Sequence, residues 1–383
     1  MAIKNNEVIT KHLVSKKFAA TFIKPALVLI ALIVGVFVIG LSTAHAQHGP
    51  MSSVTTEYFN MVYTGNLTGA QALFDANPDD MGTQMLKDQF KDRFIDQTSS
   101  LDFSRLESPK VREIAELFQA YWRDGLMQTA SLEDLNASLK GNLDRILMSE
   151  GIESDLDDDD ELWENIEGFI EAEGYFALSG RTPPLYELAI WMDNDTRVEE
   201  IELTDGAVKV PLTAISDFVS YGWINFSAYG MTSMGGWAEK EGLYCLCDHY
   251  DKDGEQYKLS FLKHEGRHFA DFKLYPKLKA PDLEYRAKLT ELAYADTSTY
   301  HLMAQFTNAS NKIDNAPHPL ANWYVIDGLS KALLGGQRPT EGSAWENIPA
   351  EDIRSSALLL LTEHDALLQQ LGANTTKGTI LVN

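Results

Sequence analysis

The most constraining feature of the chain is His264-Glu265-Gly266-Arg267-His268. On a helix, two histidines four residues apart share one face, with their Cβ atoms about 5–6 Å apart. At that spacing both imidazoles can aim a nitrogen at one ion about 2.0–2.1 Å away. Glu265, beside the first histidine, can reach the open side of such an ion without binding it and take a proton from water. Segment 257–262 contains no helix breaker, and Phe269 and Phe272 can bury the helix that follows. Gly266 opposes the helix by about 1 kcal/mol relative to Ala. The sequence still predicts a helix over 255–273.

A hydrolytic zinc site needs three protein ligands and one open position. The next predicted helix, 281–295, starts with Pro281 near its first turn and follows a short connector. The two helices are therefore expected to pack antiparallel. Glu284 can supply the third ligand, and Ala287, about one turn later, lets the helix come close. Glu291 lies seven residues past Glu284 on the same face, as a rival ligand or as a partner for a histidine. Asp271, three residues after His268, is a second rival. Residues 269–274 continue the helix rather than supplying the glycine turn and third histidine of a metzincin.

The pattern His264-Glu265-x-x-His268 followed by Glu284-x-x-Ala287 resembles that of the gluzincin metallopeptidases. The resemblance covers under a tenth of the chain. It implies a zincin-like domain, Zn2+ on His264, His268 and Glu284, a peptide or protein substrate, and Glu265 as general base and then acid. It also implies an oxyanion donor from the helical part after the motif. His301, His318 and Tyr324 are candidates. His318, in the loop before a helix at 319–334, is the one preferred. In this class the substrate lies along an edge strand upstream of the metal helix. Residues 243–250 are the expected strand.

The start of the chain is read separately. Lys4, Lys11, Lys16, Lys17 and Lys24 precede an apolar run over 25–41, and Ala44-His45-Ala46 follows it. A basic flank, an apolar core and a small-residue exit make a secretory signal, cleaved after Ala46. The core is close to the minimum for a membrane span, so an anchor over 25–43 is the alternative. Either way, 47–383 is expected outside the cytoplasm, periplasmic or secreted. The leader carries a surplus of four positive charges, so the remainder carries −28 against −24 for the whole chain. That balance excludes nucleic acid and an anionic membrane surface as the main partner. Membrane contact is expected only through an uncleaved leader. Cys245 and Cys247, one residue apart, form no disulfide framework and no zinc ribbon. The plainest reading is two small apolar residues of a strand. A bond within the pair and a redox role are the others.

Between leader and motif, 47–152 reads as helical. Val111, Ile114, Leu117, Phe118, Tyr121 and Trp122 form one stripe over 111–126. Ser131, followed by Glu133 and Asp134, opens a helix over 131–148. The acidic run 153–161 reads as a solvated linker, since the spacing and glycine of a calcium loop are missing. Short strands are expected at 185–191, 198–203, 207–212 and 243–250, with a turn at 251–254. The aromatic stretch 218–237 reads as core. Further helices are expected at 300–308, 319–334 and 349–371. The fold class is α+β, mainly helical, with a small sheet. A zincin-like domain over 162–383 follows the N-terminal region and the linker. Other readings are an exported binding or structural protein without a catalytic metal, and a zinc hydrolase of a non-peptide amide.

Overall fold

The computed structural model describes residues 53–378, except 79–80, 157, 233–234 and 313–315. The leader, its cleavage site and the anchor alternative lie outside the described residues. Among the described residues no helix is long and apolar enough to cross a membrane.

Among the described residues, six α-helices come first: α1 (Ser53–Tyr63), α2 (Ala70–Ala76), α3 (Met81–Phe90), α4 (Pro109–Met127), α5 (Leu132–Ser149) and α6 (Asp159–Ala172). Local chemistry sets their ends. The Ser108 hydroxyl accepts the Val111 N–H, and Pro109 fills the first turn of α4, where a missing N–H costs nothing. Ser131 accepts from Asp134 N at 3.1 Å and opens α5. The second half of the acidic run is not linker. Asp158 accepts from the amides of Asp160 and Glu161, and Asp159, Asp160 and Glu161 form the first turn of α6. Acids are stabilised there by the positive end of the helix dipole. The stripe on α4 is buried at Val111, Ile114, Phe118, Tyr121 and Trp122.

A five-stranded sheet follows, in the order β1-β2-β3-β5-β4. Its strands are β1 (Phe176–Thr182), β2 (Leu185–Leu203), β3 (Gly206–Tyr221), β4 (Gly236–Ala238) and β5 (Leu243–Cys245), with α7 (Trp223–Ser227) after β3. β3 and β5 are parallel; the other neighbours are antiparallel. The expected strands at 185–191 and 198–203 are one 19-residue strand. The polar residues between them continue the strand: Asp193, Asn194 and Asp195 pair with Ser216, Ile215 and Ala214 of β3. The strand expected at 243–250 stops at Cys245, where the chain bends into a short 3-10 turn.

The two ends of the β2–β3 hairpin serve different cores. Leu185, Tyr186, Leu188 and Ile190 pack with Phe118, Trp122 and Phe226. The Trp122 indole N–H donates to the Tyr186 carbonyl at 2.8 Å. At the other end, Ile201 and Leu203 join Val210, Leu212, Phe261 and Phe269. Each such side chain contributes about 1.5–3 kcal/mol when fully buried. This second end is the surface on which the metal-motif helix sits.

The rest is helical: α8 (His264–Leu274), α9 (Ala280–Tyr294), α10 (Thr299–Asn308), α11 (Pro317–Leu333) and α12 (Ala350–Leu371). Leu289, Leu292, Met303, Val325, Ile326, Leu329, Trp345 and Ile353 form their common core. The chain is thus a mainly helical α+β protein with a small sheet.

Candidate metal centre

α8 is entered through a π-helical segment, Gln256–Lys263. Such wide turns are rare and often occur at functional sites, because they change which side chains face a neighbour. Here the segment turns Ser260 inward, and its hydroxyl donates to Glu291 Oε2 at 2.6 Å. All five residues of His264–His268 are buried. Gly266 accounts for the close fit. A Cβ there would stand 2.9 Å from Ile201 Cδ1 and 3.1 Å from its Cγ2. The glycine that weakens the helix is what lets α8 lie against β2.

α9 packs beside α8 and brings Glu284 under the two histidines. His264 Nε2 and His268 Nε2 are 3.1 Å apart. Glu284 Oε2 lies 3.5 Å from the first, and Glu284 Oε1 lies 3.2 Å from the second. A tetrahedral ion with ligand distances of about 2.0–2.1 Å sets its ligand atoms roughly 3.3 Å apart, so this triangle has the right size. The Glu284 side chain is 0 % exposed, yet neither oxygen accepts a well-angled hydrogen bond. Its polar neighbours are ring nitrogens, His318 Nδ1 at 2.8 Å among them. Two imidazole nitrogens and a buried carboxylate facing one point fit a divalent cation. Among the described residues, these three form the one group of this kind.

The rival acids fall elsewhere. Glu291 Oε1 is 2.7 Å from His264 Nδ1, on the far side of that ring, where it fixes the orientation of Nε2. Asp271 faces Arg286, whose Nε and Nη2 donate to it at 2.7 and 3.1 Å.

Electrostatics follow from burial among charges. For His264, burial opposes the charged ring, but Glu284 and Glu291 outweigh it and push its pKa up to about 10. Burial raises Glu265 to about 8, against the pull of His264 and of the Ala238 N–H that its carboxylate accepts. Burial lowers His268 and His318. Burial also opposes the charge of Glu284, yet His318, His268 and His264 hold its pKa well below the usual range.

His318 opens α11 and places Nδ1 2.8 Å from Glu284 Oε2, with its side chain 27 % exposed and its Nε2 without a partner. Tyr324 is half-buried against Trp323, and His301 is exposed on α10. Lys288 was missed in the sequence. It follows Glu284 by four residues, the same spacing as the two histidines, and its Nζ comes within 4.0 Å of Glu284 Oε2.

Two expectations about the strand beside the site are corrected. β5 is not an edge, because β4 pairs on its outer side. Cys245 and Cys247 are bonded, S–S 2.02 Å, rather than two unlinked strand residues. The bend after Cys245 brings the second sulfur back to the first. β4 is the edge strand near the motif. Glu239 N–H and Leu246 N–H close its ladder with β5, on Gly242 O and Gly235 O. Antiparallel pairs alternate in direction, so the Ala238 N–H points away from β5, to Glu265.

No family model matches the chain, and no curated protein or solved structure matches it either.

Proposed function

We propose that this chain is an exported, zinc-dependent peptidase of gluzincin-like, zincin-like organisation. The observation that carries the reading is the triangle of His264 Nε2, His268 Nε2 and the buried Glu284 carboxylate, with Glu265 on the helix of the two histidines. A structural zinc site would normally present four protein ligands, whereas three converge here among the described residues.

When bound, zinc supplies Lewis acidity, which makes water acidic near neutral pH and polarises a carbonyl. The side chains do the rest. His264, His268 and Glu284 hold the ion. Glu291 keeps the His264 ring turned so that Nε2 faces it. Glu265 stands next to His264 on the same helix, with its carboxylate held by the Ala238 N–H. It takes the proton of the attacking water and returns it to the leaving amine. His318 can donate through Nε2 to a developing oxyanion only as the imidazolium, because its Nδ1–H faces Glu284 Oε2 at 2.8 Å.

Two observations support export. The leader has the three parts of a secretory signal. The Cys245–Cys247 bond suits an oxidising compartment.

The test is zinc per chain by elemental mass spectrometry, paired with proteolysis of an unselective substrate by wild type and Glu265→Gln. The reading expects a value near one, and hydrolysis lost in the variant with zinc retained. Zinc near zero after metal addition, or unchanged hydrolysis in the variant, overturns it.

A further inference from the structure

We infer that Lys288 is a carboxylate receptor beside the metal centre, which selects substrates carrying a carboxylate next to the scissile bond. The inference rests on the hydrolase reading and names a substrate class for it.

Lys288 stands one helical turn beyond Glu284, on the same face of α9. The residue is 5 % exposed. Its ammonium has three N–H donors and cannot accept. Among the described residues no hydrogen bond satisfies it. Its nearest carboxylate oxygen, Glu284 Oε2, is 4.0 Å away, and the Phe306 ring centroid is 4.8 Å away. Its partners are thus one ion pair at the outer limit of distance and one cation–π contact, neither of which satisfies its N–H donors. A cation on Glu284 removes even that weak attraction, since the carboxylate charge is then shared with the ion.

The side chain keeps 7 % of its surface exposed. An anionic group is the partner that an ammonium in this setting takes. One helical turn is about 5.4 Å. An extended residue spans about 3.3–3.6 Å. A carboxylate on Lys288 therefore lies within one or two residues of a carbonyl held at the centre. The −24 charge of the chain sharpens the point. The average surface repels acidic peptides, so a buried local cation is what would hold one. The carboxylate can be the C-terminal group of a peptide or an acidic side chain.

The test is calorimetric binding to the full chain as zinc-loaded Glu265→Gln, which reads affinity without turnover. The probes are N-acetyl-Ala-Ala, its C-terminal amide, and N-acetyl-Asp-Ala amide. The expected result is that one carboxylate-bearing probe binds at least tenfold more tightly than the Ala-Ala amide. Preference for the free acid identifies a terminal carboxylate, and preference for the Asp probe identifies a side chain. The preference should vanish with Lys288→Met added and persist with Lys288→Arg. Equal binding of all three probes overturns the inference without any variant at position 288. So does a preference that survives Lys288→Met. Zinc content, measured on the same samples, reports separately on the hydrolase reading.

Discussion

Glu291 Oε1 lies 2.7 Å from His264 Nδ1, and Ser260 donates to the other oxygen of the same carboxylate. The π-helical segment, the motif helix and α9 thus meet on one carboxylate that is not itself in the ligand triangle. An oriented imidazole is a better ligand than one free to rotate, because the carboxylate fixes both its tautomer and its ring plane.

Replacing Glu291 by Gln should weaken zinc binding about 10–100-fold while leaving one ion per chain at saturation. Replacing Glu284 by Gln should abolish stoichiometric binding, because it removes a ligand. Competition with a chelator of known affinity separates the two. Equal losses in both variants would place Glu291 in the coordination sphere.

Gly266 is predicted to resist the substitution that helix propensity favours. Gly266→Ala should gain about 1 kcal/mol in helix propensity. The new Cβ meets Ile201 at 2.9 and 3.1 Å, and Ile201 is branched at Cβ, so its Cγ2 moves only with χ1. Overpacking of this kind costs about 1–3 kcal/mol, so the urea midpoint should fall. Ile201→Val removes the nearer atom and should restore part of the loss in the double variant. A midpoint unchanged or raised by Gly266→Ala would show that the contact yields freely.

The parts of the molecule governed by local chemistry were legible in the sequence. Helix α4 announces itself by an apolar stripe, and α5 by its Ser131 cap. The histidine pair and Glu284 follow helical spacing, which is why distances along the sequence translate into one cluster in space. What depended on partners far along the chain was not legible. The middle of β2 is polar and is a strand because β3 pairs with it. Whether β4 or β5 lies at the edge is a matter of sheet order, which side-chain pattern does not encode. The bond between Cys245 and Cys247 depends on a backbone bend at Leu246. Lys288 carried a signal in its spacing from Glu284, but only its lack of an acceptor makes it notable.

Glu187 should make stability depend on pH. Burial drives its pKa well above the ordinary 4.5, against the Trp223 N–H that its carboxylate accepts at 2.8 Å. The folded state therefore holds this proton more tightly than the unfolded chain does. The contribution is fully present below the unfolded pKa and is lost as pH rises through the folded one. Glu187→Gln keeps an acceptor for Trp223 and removes the titration. The variant should gain stability relative to wild type as pH rises from 4 to 8, read as the difference in urea midpoint. A difference that stays flat over that range would show that Glu187 titrates normally.

The Arg286–Asp271 pair ties α9 to α8 through two hydrogen bonds, and the Arg286 guanidinium also meets Asp365 of α12 at 2.6 Å. Arg286 is two residues from Glu284, and Asp271 is three from His268. The pair therefore fixes how the ligand-bearing faces of the two helices meet. Asp271 also meets Arg267 at 3.1 Å, so each single variant leaves the remaining charge with one partner and should cost less than the about 3–5 kcal/mol of a fully stranded one. Arg286→Met and Asp271→Asn should each destabilise the fold. The double variant should cost clearly less than their sum, because both singles remove the same contact. Zinc affinity should fall with Arg286→Met and recover in part in the double variant, since the same contact sets the ligand triangle. Additive costs, or zinc affinity untouched by Arg286→Met, would show that the helix pair is held by its apolar contacts alone.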